Sequence, residues 1–381
     1  MPHRHTPGLV PRMAAQLDSL QDPALIVDEK YVVLAANESF RARYAPDRQV
    51  VGRHCYELAH GICRPCSARE HKCPGVAARA TGRGHRAVHV HTTPSGDCCA
   101  DVLARTIDPR DRSHVLLVIR AIDEISPEPG GAKLTGRCRV FCDMVDQMRR
   151  VAATDRPVCL VGEPGSGKEF VARTIHAMSG RHNRPFVPVD CTPSAHAELF
   201  GVPSRDGVTR VGGLVAAAQS GTLFLDDLEA LPPGLQGPVL RLIESGTYAA
   251  HGTGEQQPAN VRVMCAVERP LAEAVAAGRL RQDLGEAIAC SIHVPPLRAR
   301  REDIPLLVAS LLARCGSALP LTVHPRAMAL LRRYPFPGNV RELARILEHA
   351  SLVATGEIIL PEHLPPHLVP APRTHTSRAR T

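Results

Sequence analysis

The sequence predicts an α/β protein: a parallel sheet with helices on both faces carries a phosphate-binding loop, with a smaller α+β domain before it and a small helical lid after it. Three observations predict this. Apolar runs at 158–161, 186–189, 222–225, 261–266 and 291–294 alternate with helical stretches. Gly162, four residues and then Gly167-Lys168 give the spacing of a P-loop, set between a four-residue apolar run and a helical pattern of Val171, Ile175 and Met178. SPEPGGAK, at 126–133, is a Pro- and Gly-rich break between this region and the chain before it.

The 381 residues are enough for two domains. The expected division is a flexible N-terminus at 1–13, an α+β domain at 14–125, the linker at 126–133, the nucleotide-binding domain at 134–300, the lid at 301–366 and a flexible basic tail at 367–381. A formal charge of +8 permits an acidic partner without requiring one. No apolar run approaches the roughly 20 residues of a membrane span, and MPHRHTPGLVPRMA lacks a signal-peptide core. A cytoplasmic location without membrane contact is expected. The 13 cysteines are then read by local spacing rather than as disulfides.

In the N-terminal third, Leu25–Asp28 and Tyr31–Leu34 read as a hairpin, Asn37–Tyr44 as a helix, and Ala87–His91 and Val115–Ile119 as later strands. Within it lies CYELAHGICRPCSAREHKCP, where Cys55, Cys63, Cys66 and Cys73 fall in one short segment and Cys63 and Cys66 have a chelating spacing. Three readings stand side by side: a zinc or iron–sulfur site, a dithiol that oxidises to a disulfide, and packing of small apolar thiols. The vicinal pair Cys98-Cys99 could join any of them. The order of elements, with DPALIVDEKYVVLAANESF at the start and RAIDEIS at the end, resembles a PAS sensor domain.

After the linker, Gly162, Glu163, Pro164, Gly165, Ser166, Gly167, Lys168 and Glu169 form the expected phosphate grip. Glycines let backbone N–H groups close around phosphate oxygens, Lys168 adds charge, and the following helix adds its positive end. The lid is read as helices over Ile304–Arg314, Pro325–Arg333 and Arg341–Val353, the last with Leu343, Ile346, Leu347 and Ala350 on one face.

The segments PFVPVDC, ELFG, GLVAAAQSGTLFLDD, LQGPVLRLIESG, NVRVMCAVE, PPLRARREDI and YPFPGNVREL follow in that order. Together they resemble the AAA+ domain of bacterial enhancer-binding proteins, the sigma-54-dependent transcription activators. The resemblance implies ATP and Mg2+ as ligands, Asp226 as the Walker B carboxylate that holds the metal, and Arg341 as the lid's sensor arginine. It implies Asp227 as the group that polarises water and Arg281 as an arginine reaching a neighbouring subunit's nucleotide. A homo-oligomer, a hexameric ring or a dimer, and a protein partner in the transcription machinery are implied with them.

Several positions depart from that family. Asp227 stands for glutamate, Asp190 for an asparagine, Glu268 for a sensor asparagine and Ala287 for a second arginine, while Pro164 stiffens the loop. ELFG is followed by VPSRDGVTRV instead of the GAFTGA loop that touches sigma-54. No helix-turn-helix is expected in the tail APRTHTSRART, so direct DNA binding is not expected. The expectation is an ATP-binding transcription regulator with weak or absent hydrolysis, sensing through its PAS domain. The alternative is a pseudo-ATPase in which nucleotide is structural and the PAS cysteines carry the signal.

Overall fold

The computed structural model describes residues 17–66, 73–94, 96–108, 111–122, 124–126, 133–191, 199–203, 210–211, 213–249, 256–288, 290–314 and 321–369. The expected N-terminal segment 1–13, most of the linker, most of the segment in the GAFTGA position (204–209 and 212) and the tail from 370 lie outside them. The chain divides into two compact units, residues 1–125 with 136–147 and residues 126–135 with 148–381.

The N-terminal unit is a five-stranded antiparallel sheet. Its strands are β1 (Ala24–Val27), β2 (Val33–Ala36), β3 (His85–Thr93), β4 (Gly96–Thr106) and β5 (Val115–Ala121), in the order β2-β1-β5-β4-β3. Asp28 ends the first strand and accepts the Lys30 and Val32 N–H groups at 2.9 and 2.8 Å, closing a tight turn. Tyr31 sits in that turn at φ 65, so the strand expected from Tyr31 begins only at Val33. Helices α1 (Glu38–Tyr44), α2 (Cys55–His60) and α3 (Pro74–Thr81) follow. The sheet and helices enclose a core that includes Leu25, Val33, Phe40, Val102, Leu117 and Ile119. β4, at 11 residues the longest strand, was not legible because its opening GDCCAD lacks the apolar alternation of a strand.

Asn37 holds the helix entry. Its Oδ1 accepts both Ala24 N–H on β1 and Phe40 N–H in the first turn of α1, each at 2.9 Å. Its Nδ2 donates to the carbonyls of Asp22 and Leu20 at 2.9 and 3.1 Å. One buried amide therefore caps the helix, pairs the strand end and anchors the chain entering the domain.

The C-terminal unit contains five parallel strands: β6 (Val158–Val161), β7 (Phe186–Asp190), β8 (Thr222–Asp226), β9 (Arg262–Val267) and β10 (Cys290–His293). Their order is β10-β6-β9-β8-β7, so the chain leaves β6 for the far edge and returns strand by strand. Alternate residues serve the two faces. Cys159, Val161, Leu223, Leu225, Val263 and Cys265 pack with Leu235, Val239 and Leu242 of one helix, α5 (Pro233–Ser245). On the other face lies α4 (Lys168–Ala177), the helix that follows the glycine-rich loop. Its His176 meets the Phe186 ring edge-on, and Phe186 stacks on Phe224. His176 Nε2–H donates to Arg184 O at 3.0 Å, which leaves Nδ1 to accept the Thr222 hydroxyl at 2.8 Å and ties α4 to the start of β8. Burial lowers the pKa of this imidazole, in keeping with the neutral tautomer.

The lid is three helices, α6 (Ile304–Leu312), α7 (Pro325–Arg333) and α8 (Asn339–Val353), around Leu307, Leu331, Phe336, Leu343 and Leu347. α6 ends earlier and α8 begins earlier than expected. Among the described residues no helix is long and apolar enough to cross a membrane.

Asn37→Ala would leave the Ala24 and Phe40 N–H groups inside the unit without their acceptor. At about 1–3 kcal/mol for each of the two stranded groups, the expected loss is about 2–6 kcal/mol. It is read as a lower urea midpoint for the N-terminal unit, with the C-terminal unit unchanged.

Candidate functional site

The five strands of this central sheet run the same way, so their C-terminal ends lie along one edge, where open α/β sheets bind ligands. The loop after β6, the end of β8 and the end of β9 meet there. A cavity of about 480 Å³ opens at this edge, lined by loop residues Pro164–Glu169, by Asp226, Asp227 and Glu268, and by Arg341 from the lid. That volume is in the range of small-molecule sites.

The glycines of the loop are required by crowding and by backbone shape. A Cβ on Gly162 would lie 2.8 Å from Val294 O, and one on Gly165 would lie 2.3 Å from Gly338 O. Gly165 and Gly167 have φ of 73° and 102°, in the left-handed region. Gly167 is the N-cap of α4, so the first turn of that helix faces the loop. Lys168 folds back over the loop, donating from Nζ to Gly162 O at 2.8 Å and to Glu163 O at 3.4 Å. Ser166 is buried and its Oγ has no hydrogen-bond partner among the described residues. Such an orphaned polar atom on a cavity wall fits a polar ligand.

The acidic side of the cavity is crowded. Asp226 is paired in register with Asp190 on β7, and its Oδ1 accepts the Asp227 N–H at 3.1 Å. Burial raises the Asp226 pKa, Lys168 opposes that shift, and Glu169 and Asp190 add to it. Beneath them the Cys191 thiol is pushed up to about 12, first by burial and then by Asp227, Asp190 and Asp226. Asp227 is exposed and holds a left-handed backbone at φ 53. Glu169 is drawn along α4 into an ion pair with Arg173 at 2.8 Å.

Arg281 is not on this cavity wall. It is exposed at the start of the short helix Gln282–Ala287 and pairs with Asp283 through Nε at 3.0 Å and Nη2 at 2.5 Å.

The sequence reading missed the connection between lid and loop. Val340 and Arg341 donate their N–H groups to Gly165 O at 3.0 and 3.3 Å. Asn339, fully buried at φ 53, donates from Nδ2 to Pro164 O at 3.0 Å and to Glu163 Oε2 at 3.1 Å, while its Oδ1 accepts the Leu297 N–H at 2.8 Å. Arg298 forms a two-pronged pair with Glu163, its Nη1 at 2.6 Å from Oε2. Asn339 and Arg298 lie inside the motifs FPGN and PPLRARRED, but nothing local in either motif names Glu163 as their partner.

The cysteines gather in the N-terminal unit differently from the expected chelating pair. Cys55, Cys66 and Cys73 line a cavity of about 30 Å³ with His60, His89 and His91, whereas Cys63 is exposed and absent from that wall. The neighbouring Cys66 thiol holds the Cys73 pKa down at about 6, and Cys73 together with burial raises that of Cys66. Burial, with Cys73 next, pushes Cys55 up to about 12. Among the described residues no three Cys, His, Asp or Glu side chains are grouped to hold a metal ion. Cys98 and Cys99 are buried on β4 and do not line the cavity.

Residues 134–292 match the Sigma-54 interaction domain family, 298–381 the AAA+ ATPase lid domain and 17–125 the PAS fold. The chain is 38% identical to the response regulator protein PilR of Pseudomonas aeruginosa over 277 residues, which is 69% of this chain and 62% of PilR. It is 34% identical to the Nif-specific regulatory protein of Rhizobium leguminosarum bv. trifolii over 244 residues, which is 61% of this chain and 69% of that protein. A crystal structure of NtrX from Brucella abortus in complex with ATP superposes with a TM-score of 0.57 at 31% identity, covering 62% of this chain and 57% of that one. The chain spans 43 to 62% of the length of several curated relatives that it matches.

The Glu163 link has a definite pH dependence. Arg298, with Asn339 second, holds this carboxyl at about 2, below its ordinary 4.5. A depressed carboxyl stabilises the fold fully above its unfolded value and loses that contribution as pH falls through its folded value. The unfolding midpoint of the C-terminal unit is therefore expected to drop between pH 4.5 and about 2, and thermal scans of Glu163→Gln should show a shallower drop across that window.

Proposed function

We propose that this chain, which belongs to the sigma-54-dependent transcriptional regulators and carries a PAS domain, binds ATP with Mg2+ at the sheet-edge cavity and hydrolyses it weakly. The observation that carries the binding reading is the Gly165–Lys168 turn. Its left-handed glycines, the start of α4 and the unpartnered Ser166 Oγ surround one end of the cavity. In this reading Lys168 leaves the Gly162 and Glu163 carbonyls for phosphate oxygens, and Arg341 reaches the same phosphates from the lid. Asp226 is the carboxylate that would hold Mg2+, whose chemistry is to neutralise charge on the phosphates. The raised Asp226 pKa describes a carboxylate short of positive charge, which suits a divalent cation.

Weak hydrolysis follows from the acidic side. The Asp227 carboxylate stands back by about 1.5 Å from where a glutamate would place it, and a misplacement of about 1 Å can cost on the order of 100-fold in rate. Asp190 and Glu268 add negative charge along an edge where charge develops during phosphoryl transfer.

Oligomerisation belongs to the same reading. Arg281 is exposed and off its own chain's cavity, and in this reading it acts at a neighbour's nucleotide once copies assemble. The assembly, a ring or a dimer, would form with nucleotide and act on a partner in the transcription machinery in the cytoplasm. The PAS unit would supply the signal.

Nucleotide binding and turnover measured side by side test this. Lys168→Ala is expected to weaken ATP binding by at least about 100-fold, ~2.7 kcal/mol, without unfolding the chain. Unaltered binding would overturn the site. Asp227→Glu is expected to raise turnover by about 10- to 100-fold at similar affinity, and turnover of the unsubstituted chain at an ordinary AAA+ rate would overturn weak hydrolysis. Size measurements with and without ATP test the assembly, which an unchanging monomer would refute.

A further inference from the structure

Arg281 is exposed, but the backbone that carries it is held from the interior. Gln236 of α5 is 2% exposed. Its Oε1 accepts the Arg281 N–H at 2.8 Å, and its Nε2 donates to Arg279 O at 2.8 Å and to Leu231 O at 3.2 Å. One buried amide therefore fixes residues 279–281 against the turn that follows β8. Leu280, between the two held residues, packs with Leu228, Leu231, Leu235 and Leu284 in one core.

A second link joins the same two segments. Glu229 lies two residues after Asp227, in the short turn Leu228–Ala230, and its side chain is 9% exposed. Its Oε2 pairs with Arg279 Nη2 at 2.9 Å, and its Oε1 accepts the N–H of Arg269, the residue after Glu268, at 3.4 Å. Asp227 and Glu268 stand on the cavity wall, whereas Glu229 and Arg279 do not. An ion pair with one half-exposed partner adds little stability, so its main effect here is geometric. It sets the spacing between the acidic edge of the cavity and the segment that presents Arg281.

We propose that Glu229 and Gln236 are positioning residues that couple the acidic edge of the nucleotide cavity to Arg281. A displacement of the Asp227 turn carries Leu231 O and Glu229 with it, and both pass the movement to 279–281 through side-chain contacts of defined geometry. Arg281 is thereby presented to the nucleotide phosphates of a second copy of this chain in step with the state of its own cavity. The inference rests on the reading of Arg281 as a residue that acts across an interface between copies.

The test is sedimentation of the full chain, which gives the protein concentration at which copies assemble with ATP. Arg279→Ala removes the pair from its exposed end, and Glu229→Ala from its buried end. Each is expected to raise that concentration at least about 10-fold. The ATP affinity of the unassembled chain should stay unchanged, because neither residue lines the cavity. Added to Arg281→Ala, each should change the assembly concentration by less than about 2-fold, since the contribution it supports is already gone. A structural role alone would add its loss to that of Arg281→Ala. A loss in Arg281→Ala with none in Arg279→Ala would overturn this inference and leave the trans reading intact. So would additive losses, or a matching fall in the ATP affinity of the unassembled chain. Assembly of Arg281→Ala at the unsubstituted concentration would overturn the trans reading, and this inference with it.

Discussion

No side chain fits at Gly165. Its carbonyl takes two N–H groups from the start of α8, and the space a Cβ would fill is held by Gly338 O and Arg341 Cβ. Lid and loop therefore touch through backbone, at a distance that only glycine permits. Everything around the cavity depends on that approach. It brings Arg341 over the loop, lets Asn339 reach Pro164 O, and places Glu163 between Asn339 and Arg298. A lid that moved away would break two backbone hydrogen bonds, a buried amide contact and a two-pronged ion pair together. Such a group of contacts makes a discrete docking arrangement rather than a graded one.

The sheet supplies the other half of the arrangement. With strand order β10-β6-β9-β8-β7, the glycine loop and the two acidic strand ends arrive at one edge without any long-range pairing of side chains. This explains why so much of the site was legible in the sequence. Each part is a local signal, a loop after an apolar run or an aspartate ending one, and topology brings them together. The lid was legible for the same reason, because Leu343, Ile346, Leu347 and Ala350 recur at helical spacing. The Glu163 network was not. Its partners are 135 and 176 residues away, and neither a glutamate in a loop nor an asparagine in a turn announces a partner at that range. The left-handed backbone of Asn339 was equally hidden, although asparagine tolerates it well. In the N-terminal unit the cysteine segment was conspicuous, but spacing favoured Cys63 with Cys66. Folding instead places Cys66 and Cys73, with Cys55, on one cavity wall and leaves Cys63 exposed.

The departures at the acidic edge change the balance of charge rather than the shape. Asp190, Asp226, Asp227 and Glu268 share a strand edge, Lys168, Arg341, Lys133, Arg300 and Arg314 line the cavity beside it, and Glu169 is diverted to Arg173. An edge of this kind holds a cation-bearing ligand more readily than a bare anion.

Asp227 also carries a conformational cost. Its φ of 53 belongs to the left-handed region, which aspartate enters more readily than glutamate because its short carboxylate can bond locally. A longer side chain at this position extends the carboxylate and strains the backbone that presents it, by up to about 1–2 kcal/mol. The backbone at this position therefore favours aspartate. A change to glutamate here would meet a stability barrier that compensating stabilisation elsewhere in the sheet would have to offset.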